Sequence, residues 1–344
     1  MSVVLIGIDE AGYGPLLGPL CVAMSAIRVH DWSPGEPAPD LWSRLSRAVV
    51  KSPGKAARGR IAINDSKKLK LANDGRRDPL IHLERGVLAA LGAMNLHPPC
   101  DHALLATLGA EVDESPWYTP VNTIPTANDT ASLSINSNML ASACADAGVE
   151  LLALRCVTLC ESRFNTIVSA RGTKAATTAE GIREHLLTAW DTWAPRAGAT
   201  DHAPRLVCDR QGGRTAYAEM LAELLPIQMK GLPEIQVRVI EECPAQSRYQ
   251  VVHDLPNSPR ELSVLFQPEA EAAHLPVALA SMTAKYCREL LMKRFNRYWN
   301  EQAVAQGMPE LKPTAGYTTD ARRWLKDAGR LVNASTRRSL VRIA

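Results

Sequence analysis

The side chains best placed to do chemistry in this sequence are acids that stand where apolar runs stop. Asp9 and Glu10 follow Val3-Val4-Leu5-Ile6, a β-branched run that reads as a buried strand. Gly12 and Gly14 come next and let the backbone turn tightly and approach another group closely. Neighbouring residues on a strand face opposite sides, so Asp9 and Glu10 can share a site only where the strand ends or bends. The glycines predict that end. Asp209 closes a second apolar run, Leu206-Val207-Cys208, and Gly212 and Gly213 follow shortly after. Glu269 and Glu271 precede a long helical pattern. Each acid alone has an ordinary explanation, as a turn former, an N-cap or a favourable charge at a helix start. Together they describe a site at the strand ends of an α/β sheet, where ligands bind. Magnesium takes oxygen ligands and commonly sits between one or two carboxylates and a substrate phosphate.

The elements that must position these acids follow from periodicity. Strand patterns fall at 3–9, 20–29, 151–159, 205–209, 234–240 and 262–266, and helical patterns at 179–193, 215–225 and 276–299. Their interleaving predicts an α/β domain with a mixed sheet flanked by helices. In the last helix Val277, Ala280, Ala284, Cys287, Leu291, Phe295 and Tyr298 form one apolar face. Ser281, Lys285 and Arg288 form a stripe opposite that face. The stretch 94–137 is rich in Pro, Thr, Asn and Asp and reads as long loops.

Charge is unevenly spread. Residues 51–77 carry nine basic side chains against two acids, and 312–344 carry eight against two, whereas 78–155 carry nine acids against two arginines. Basic flanks suit a polyanionic partner. The reversed sign and loop-like composition make 78–149 an acidic insertion in a core domain built from 1–77 and 150–344. No apolar run is long enough for a bilayer. The N-terminus has no basic segment ahead of an apolar one, so a cytoplasmic protein is expected. Eight cysteines without a CxxC pair read as buried thiols rather than a zinc site. A monomer is the expected state.

The blocks around the acids resemble the type 2 ribonucleases H, the ribonuclease HII and HIII family. Asp9-Glu10-Ala11-Gly12-Tyr13-Gly14-Pro15 matches its first motif, and Asn64-Asp65-Ser66-Lys67-Lys68-Leu69 its second. Asp209 occupies the place of its third acid. Ala280-Ser281-Met282-Thr283-Ala284-Lys285 matches its helix motif, and counting ten residues back from Ser281 selects Glu271 as the fourth acid. Gly316-Tyr317-Thr318-Thr319 matches the last block. The resemblance covers roughly 3–70 and 150–330, and implies a ribonuclease H-like sheet. It also implies endonucleolytic hydrolysis of RNA in RNA–DNA hybrid or ribonucleotide-containing duplexes. Two Mg2+ or Mn2+ ions would be held by Asp9, Glu10, Asp209 and Glu271, with Asp9 bridging them. Nucleic-acid contacts are implied for Gly12, Tyr13, Gly14, Lys67, Lys68 and Tyr317, and the helical stripe adds Ser281, Lys285 and Arg288. Two departures stand out: Tyr13 replaces the family's arginine, and the histidine after the last block is absent. Tyr13 in place of arginine and Glu271 in place of aspartate together imply a preference for several consecutive ribonucleotides. Rival readings are a nucleic-acid-binding protein with little catalysis on the same fold, and a related DNA nuclease or resolvase.

Overall fold

The computed structural model describes every residue except 34, 55–56, 74, 197, 200, 225–233, 255–257 and 344. Its strands are β1 (Ser2–Ala11), β2 (Leu20–His30), β3 (Val49–Val50), β4 (Ile61–Ala62), β5 (Val149–Leu159), β6 (Arg205–Asp209), β7 (Gln236–Glu242), β8 (Ser247–His253) and β9 (Arg260–Gln267). Its helices are α1 (Leu41–Arg44), α2 (Ser66–Leu69), α3 (Ile81–Ala93), α4 (Asp101–Thr107), α5 (Thr130–Asp146) and α6 (Glu161–Arg171). They continue with α7 (Ala175–Thr192), α8 (Ala218–Leu224), α9 (Ala270–Ala273), α10 (Leu275–Ala305), α11 (Thr318–Ala328) and α12 (Ala334–Leu340).

β1 lies inside a mixed seven-stranded sheet of order β5-β2-β1-β6-β9-β8-β7. It runs antiparallel to β2 and parallel to β6, and β6 runs parallel to β9. Alternation along β1 divides the core. Val4, Ile6 and Ile8 enter a cluster with Phe164, Leu186 and Trp190 of α6 and α7. Val3 enters a cluster with Leu279, Leu290 and Phe295 of α10. Gly7 lets α10 lie directly on β1, because a Cβ there would stand 2.2 Å from the Pro276 carbonyl carbon. That contact brings the start of α10 beside the acids.

Several expectations are corrected. β1 does not stop at Asp9: it runs through both acids to Ala11, with Asp9 opposite Ala23 and Glu10 opposite Val22. Its pairing with β6, however, ends at Ile8 and Cys208, so the acids stand beyond the last rung on that side. β8 is an added strand, although Tyr249 and Val251 alternate with Arg248 and Gln250. The expected helix at 215–225 is α8, and its expected last residue lies outside the described residues.

The stretch 94–137 is not mainly loop: it holds α4, a 3-10 turn at Pro116–Tyr118 and the start of α5. Capping explains this, because Asp129 caps α5 by accepting from the Ser132 N–H. The polar residues there are helix starts, not only turns. Moreover, Leu83, Val87, Leu91, Leu104 and Leu140 of the 78–149 segment share the hydrophobic cluster of α10. Buried polar pairs add to this. Glu84 accepts from the Tyr286 hydroxyl at 2.9 Å, and Asp101 pairs with Arg294 at 2.6 Å. The segment is built into the same core. Among the described residues, no helix is long and apolar enough to cross a membrane.

Candidate active site

Asp9, Glu10, Asp209 and Glu271 meet at one end of the sheet, beside the start of α10. Asp9 is buried. Burial, the neighbouring Glu10 and, more weakly, Asp209 raise its carboxyl well above the usual carboxylate range, although Ser281 opposes this by hydrogen bonding. Burial and the charge of Asp209 push Glu10 up to about 7, with Lys67 working against them. Asp209 is also raised by burial, although it accepts from the Ala270 N–H of α9 at 3.2 Å. Burial raises Glu271 too, with Asp209 and Asp65 adding to it. These mutual shifts mark a cluster of negative charge without enough compensation.

Of the two glutamates ahead of α10, Glu271 joins the cluster, whereas Glu269 is exposed in a left-handed backbone conformation at φ 53°. The Glu271 Oε2 atom is buried without a hydrogen-bond partner. Among the described residues, no three His, Cys, Asp or Glu side chains form a ready-made metal cage. The donor set nevertheless suits a hard divalent cation, since it is all carboxylate oxygen and leaves one buried oxygen unpaired.

α2 supplies the balancing charge. Asp65 caps this helix through the Lys67 N–H, and Ser66 is buried with its hydroxyl 3.1 Å from that of Ser281. Lys67 is exposed overall, with its ammonium end partly covered. Burial of its ammonium disfavours the charge, but Asp65, Asp9, Glu271 and Asp209 together raise its pKa. Lys68 is exposed beside it.

The remaining residues sort clearly. The loop 12–18 and Tyr317 are joined, because the N–H groups of Leu16 and Leu17 both donate to Gly316 O. Tyr317 is exposed, and so is Tyr13. Gly12 has φ +98°, and a Cβ there would stand 2.5 Å from Arg288 Nε, so the fold itself demands glycine. At Gly14 a Cβ would meet nothing within 4 Å. The stripe on α10 is not a free cationic surface. Ser281 is buried, Lys285 is paired with Glu289 at 2.9 Å, and Arg288 is fully buried, donating to Ala315 O at 2.8 Å. Neighbouring elements cover this side of α10, so the stripe is spent on contacts within the protein.

Asp65, Glu161, Lys174 and Arg342 also stand at or beneath this site, and sequence reasoning missed them. Asp65 lay inside a recognised block and could have been found there. The others carry no spacing signal, since only the fold brings residues 161, 174 and 342 to the loop 12–18.

No family model matches the sequence, and no curated protein matches it. The fold is similar to solved ribonuclease HII and HIII structures at low identity. One is ribonuclease HII from Archaeoglobus fulgidus, solved in complex with PCNA: 15% identity, 99% of this chain and 94% of that chain covered, TM-score 0.43. Bst-RNase HIII, solved with Mn2+, is 14% identical over 99% of this chain and 66% of that chain, with TM-score 0.40. Ribonuclease H2 from Pyrococcus horikoshii OT3 is 11% identical over 95% and 99%, with TM-score 0.39. At such scores the likeness decides nothing about chemistry.

Proposed function

We propose that this protein is a metal-dependent endonuclease that hydrolyses RNA within RNA–DNA hybrid or ribonucleotide-containing duplexes. The observation that carries this reading is the cluster of Asp9, Glu10, Asp209 and Glu271, drawn from β1, β6 and α9, with their pKa values raised by burial and by one another. Divalent ions, when bound, supply an activated water, charge neutralisation at phosphorus and a stabilised leaving oxygen. The four carboxylates would hold them, and the unpaired Glu271 oxygen is a natural ligand. Lys67 would offset phosphate charge at the rim of the cluster, with Lys68 contacting the backbone further out. Tyr317 would stack on a sugar beside the loop 12–18, where the open space at Gly14 admits close approach. Recognition of the 2′-hydroxyl separates RNA from DNA, and phosphate contacts carry no sequence information. Duplexes with several consecutive ribonucleotides are the preferred substrate in this reading.

The test is cleavage of labelled duplexes that contain one ribonucleotide, a full hybrid strand or DNA only, with Mg2+ or Mn2+ present. Wild-type protein should cut the ribonucleotide-containing substrates, and Asp9→Asn or Asp209→Asn should abolish cutting while leaving the fold intact. Near-wild-type turnover in either variant would reject the reading.

A further inference from the structure

Beside the start of α10, part of the sheet keeps an open face. Leu206 and Cys208 of β6, with Leu262, Val264 and Phe266 of β9, point into the core formed with α6 and α7. Alternation turns Arg205 and Val207 the other way, next to Ser263 and Leu265, their partners on β9. Arg248 of β8 stands opposite Leu265 on that same face. Val207 and Leu265 are half-buried and belong to neither core cluster. What stands over them is a cavity of about 450 Å³, walled by Pro39 and Leu41 as well as by Ala273, Leu275 and Pro276. Small-molecule sites span roughly 300–1,000 Å³ and combine apolar walls with a few polar groups.

The polar groups of this cavity are donors that lack acceptors. Arg205 lies over Trp32, its guanidinium 4.2 Å from the ring centre. Among the described residues, neither Arg205 nor Arg248 has a carboxylate at ion-pair distance or a hydrogen-bond acceptor, and the Ser263 hydroxyl has no acceptor either. Burial and the charge of Arg248 push the Arg205 guanidinium below its ordinary pKa, so the two cations feel each other across β9. The nearby acids are committed elsewhere. Asp40 caps α1, accepting from the Trp42 and Ser43 N–H groups at 3.0 and 3.2 Å. Glu241 stands opposite Arg248 on β7 and accepts from the Gln246 amide at 2.6 Å. Hydrogen bonds from Gln246 and Cys243 do most to hold Glu241 below its usual pKa, and Arg248 contributes least. An apolar cavity with two such cations at its floor is complementary to an anion. Guanidinium groups pair best with carboxylate or phosphate, and two of them match the two charges of a phosphate monoester. The walls admit a small molecule, whereas a duplex backbone would need an open groove.

We propose that this cavity binds a small organic phosphate monoester, with the phosphate between Arg205 and Arg248 and the apolar body on Val207 and Leu265. Asp9, Glu10, Asp209 and Glu271 do not line it, and it does not depend on the nuclease reading above.

Phenyl phosphate is the probe, added without divalent metal to protein carrying 13C-labelled Val and Leu methyl groups. The Val207 and Leu265 methyl signals should move saturably with phenyl phosphate and stay still with phenol at the same concentration. Arg205→Met and Arg248→Met should each weaken binding about tenfold or more, the scale of a lost hydrogen bond to a charged group. Methyl signals that do not respond to phenyl phosphate, equal shifts with phenol, or unchanged affinity in both variants would overturn the proposal. Tighter binding of benzoate than of phenyl phosphate would overturn the choice of a phosphate. Displacement of phenyl phosphate by an all-DNA duplex would overturn the choice of a small molecule. Should Arg205→Met fail to fold because Trp32 loses its cover, Arg248→Met decides alone, since Arg248 is exposed.

Discussion

Gly12 and Gly14 differ by two positions and share a motif, yet the structure assigns them opposite reasons for being glycine. Alanine at Gly12 would adopt φ +98°, and its Cβ would stand 2.5 Å from Arg288 Nε and 2.7 Å from Pro19 O. Pro19 O is backbone, and Arg288 is fully buried, so neither can move aside cheaply. The left-handed conformation costs about 1–2 kcal/mol and overpacking about 1–3 kcal/mol, which together predict a loss of roughly 2–5 kcal/mol for Gly12→Ala. Gly14→Ala meets nothing within 4 Å and needs no left-handed backbone. It should leave stability unchanged or raise it by about 0.4–1 kcal/mol, through a less flexible unfolded chain. Urea unfolding of both variants, read at equilibrium, gives the two values directly. Cleavage and duplex binding should then fall in Gly14→Ala despite its intact fold, because the new methyl enters the space reserved for nucleic acid. A loss above about 1 kcal/mol in Gly14→Ala, or wild-type stability in Gly12→Ala, would refute the packing argument. Full cleavage by Gly14→Ala would refute the use assigned to that open space.

Three further outcomes follow from the core. Glu289 is held between Lys70 and Lys285, and although burial opposes ionisation, the two ammonium groups lower its pKa to about 2. A depressed acid stabilises the fold above its unfolded value of 4.5, and that stability is lost as pH falls toward 2. The difference in unfolding free energy between wild type and Glu289→Gln should therefore shrink by about 3 kcal/mol from pH 6 to pH 2, and a difference independent of pH would contradict this. Arg294→Met leaves Asp101 buried and without its ion-pair partner, so unfolding free energy should drop by about 3–5 kcal/mol. A drop below about 1 kcal/mol would show the pair to be dispensable. Deleting 78–149 with a short flexible linker should abolish cooperative unfolding, because α3, α4 and α5 share the α10 core. A sharp two-state transition in the deletion protein would show that the segment is an appendage.

What the sequence determined by itself was the local order of the molecule. Alternation and apolar runs placed β1, β2, β5, β6, β7 and β9 and the long helix α10, because strand and helix periods are written in consecutive residues. Asp9, Glu10 and Asp209 stood out as candidates for the same reason, since each follows an apolar run, whereas Glu271 was separated from Glu269 only by the family resemblance of the block that follows it. The sequence did not reveal burial on every side. Lys285 and Arg288 look like a polar stripe by helical spacing, but Lys70, the loop 12–18 and the stretch just before α11 lie against that stripe. Their side chains then find Glu289 and backbone carbonyls instead of solvent. The helices within 94–137 were hidden because Asp and Asn serve turns and N-caps alike. Arg342 was hidden more completely. Its partners are carbonyl oxygens at residues 12, 13 and 18, which every sequence possesses, and only the fold brings them within reach of one guanidinium.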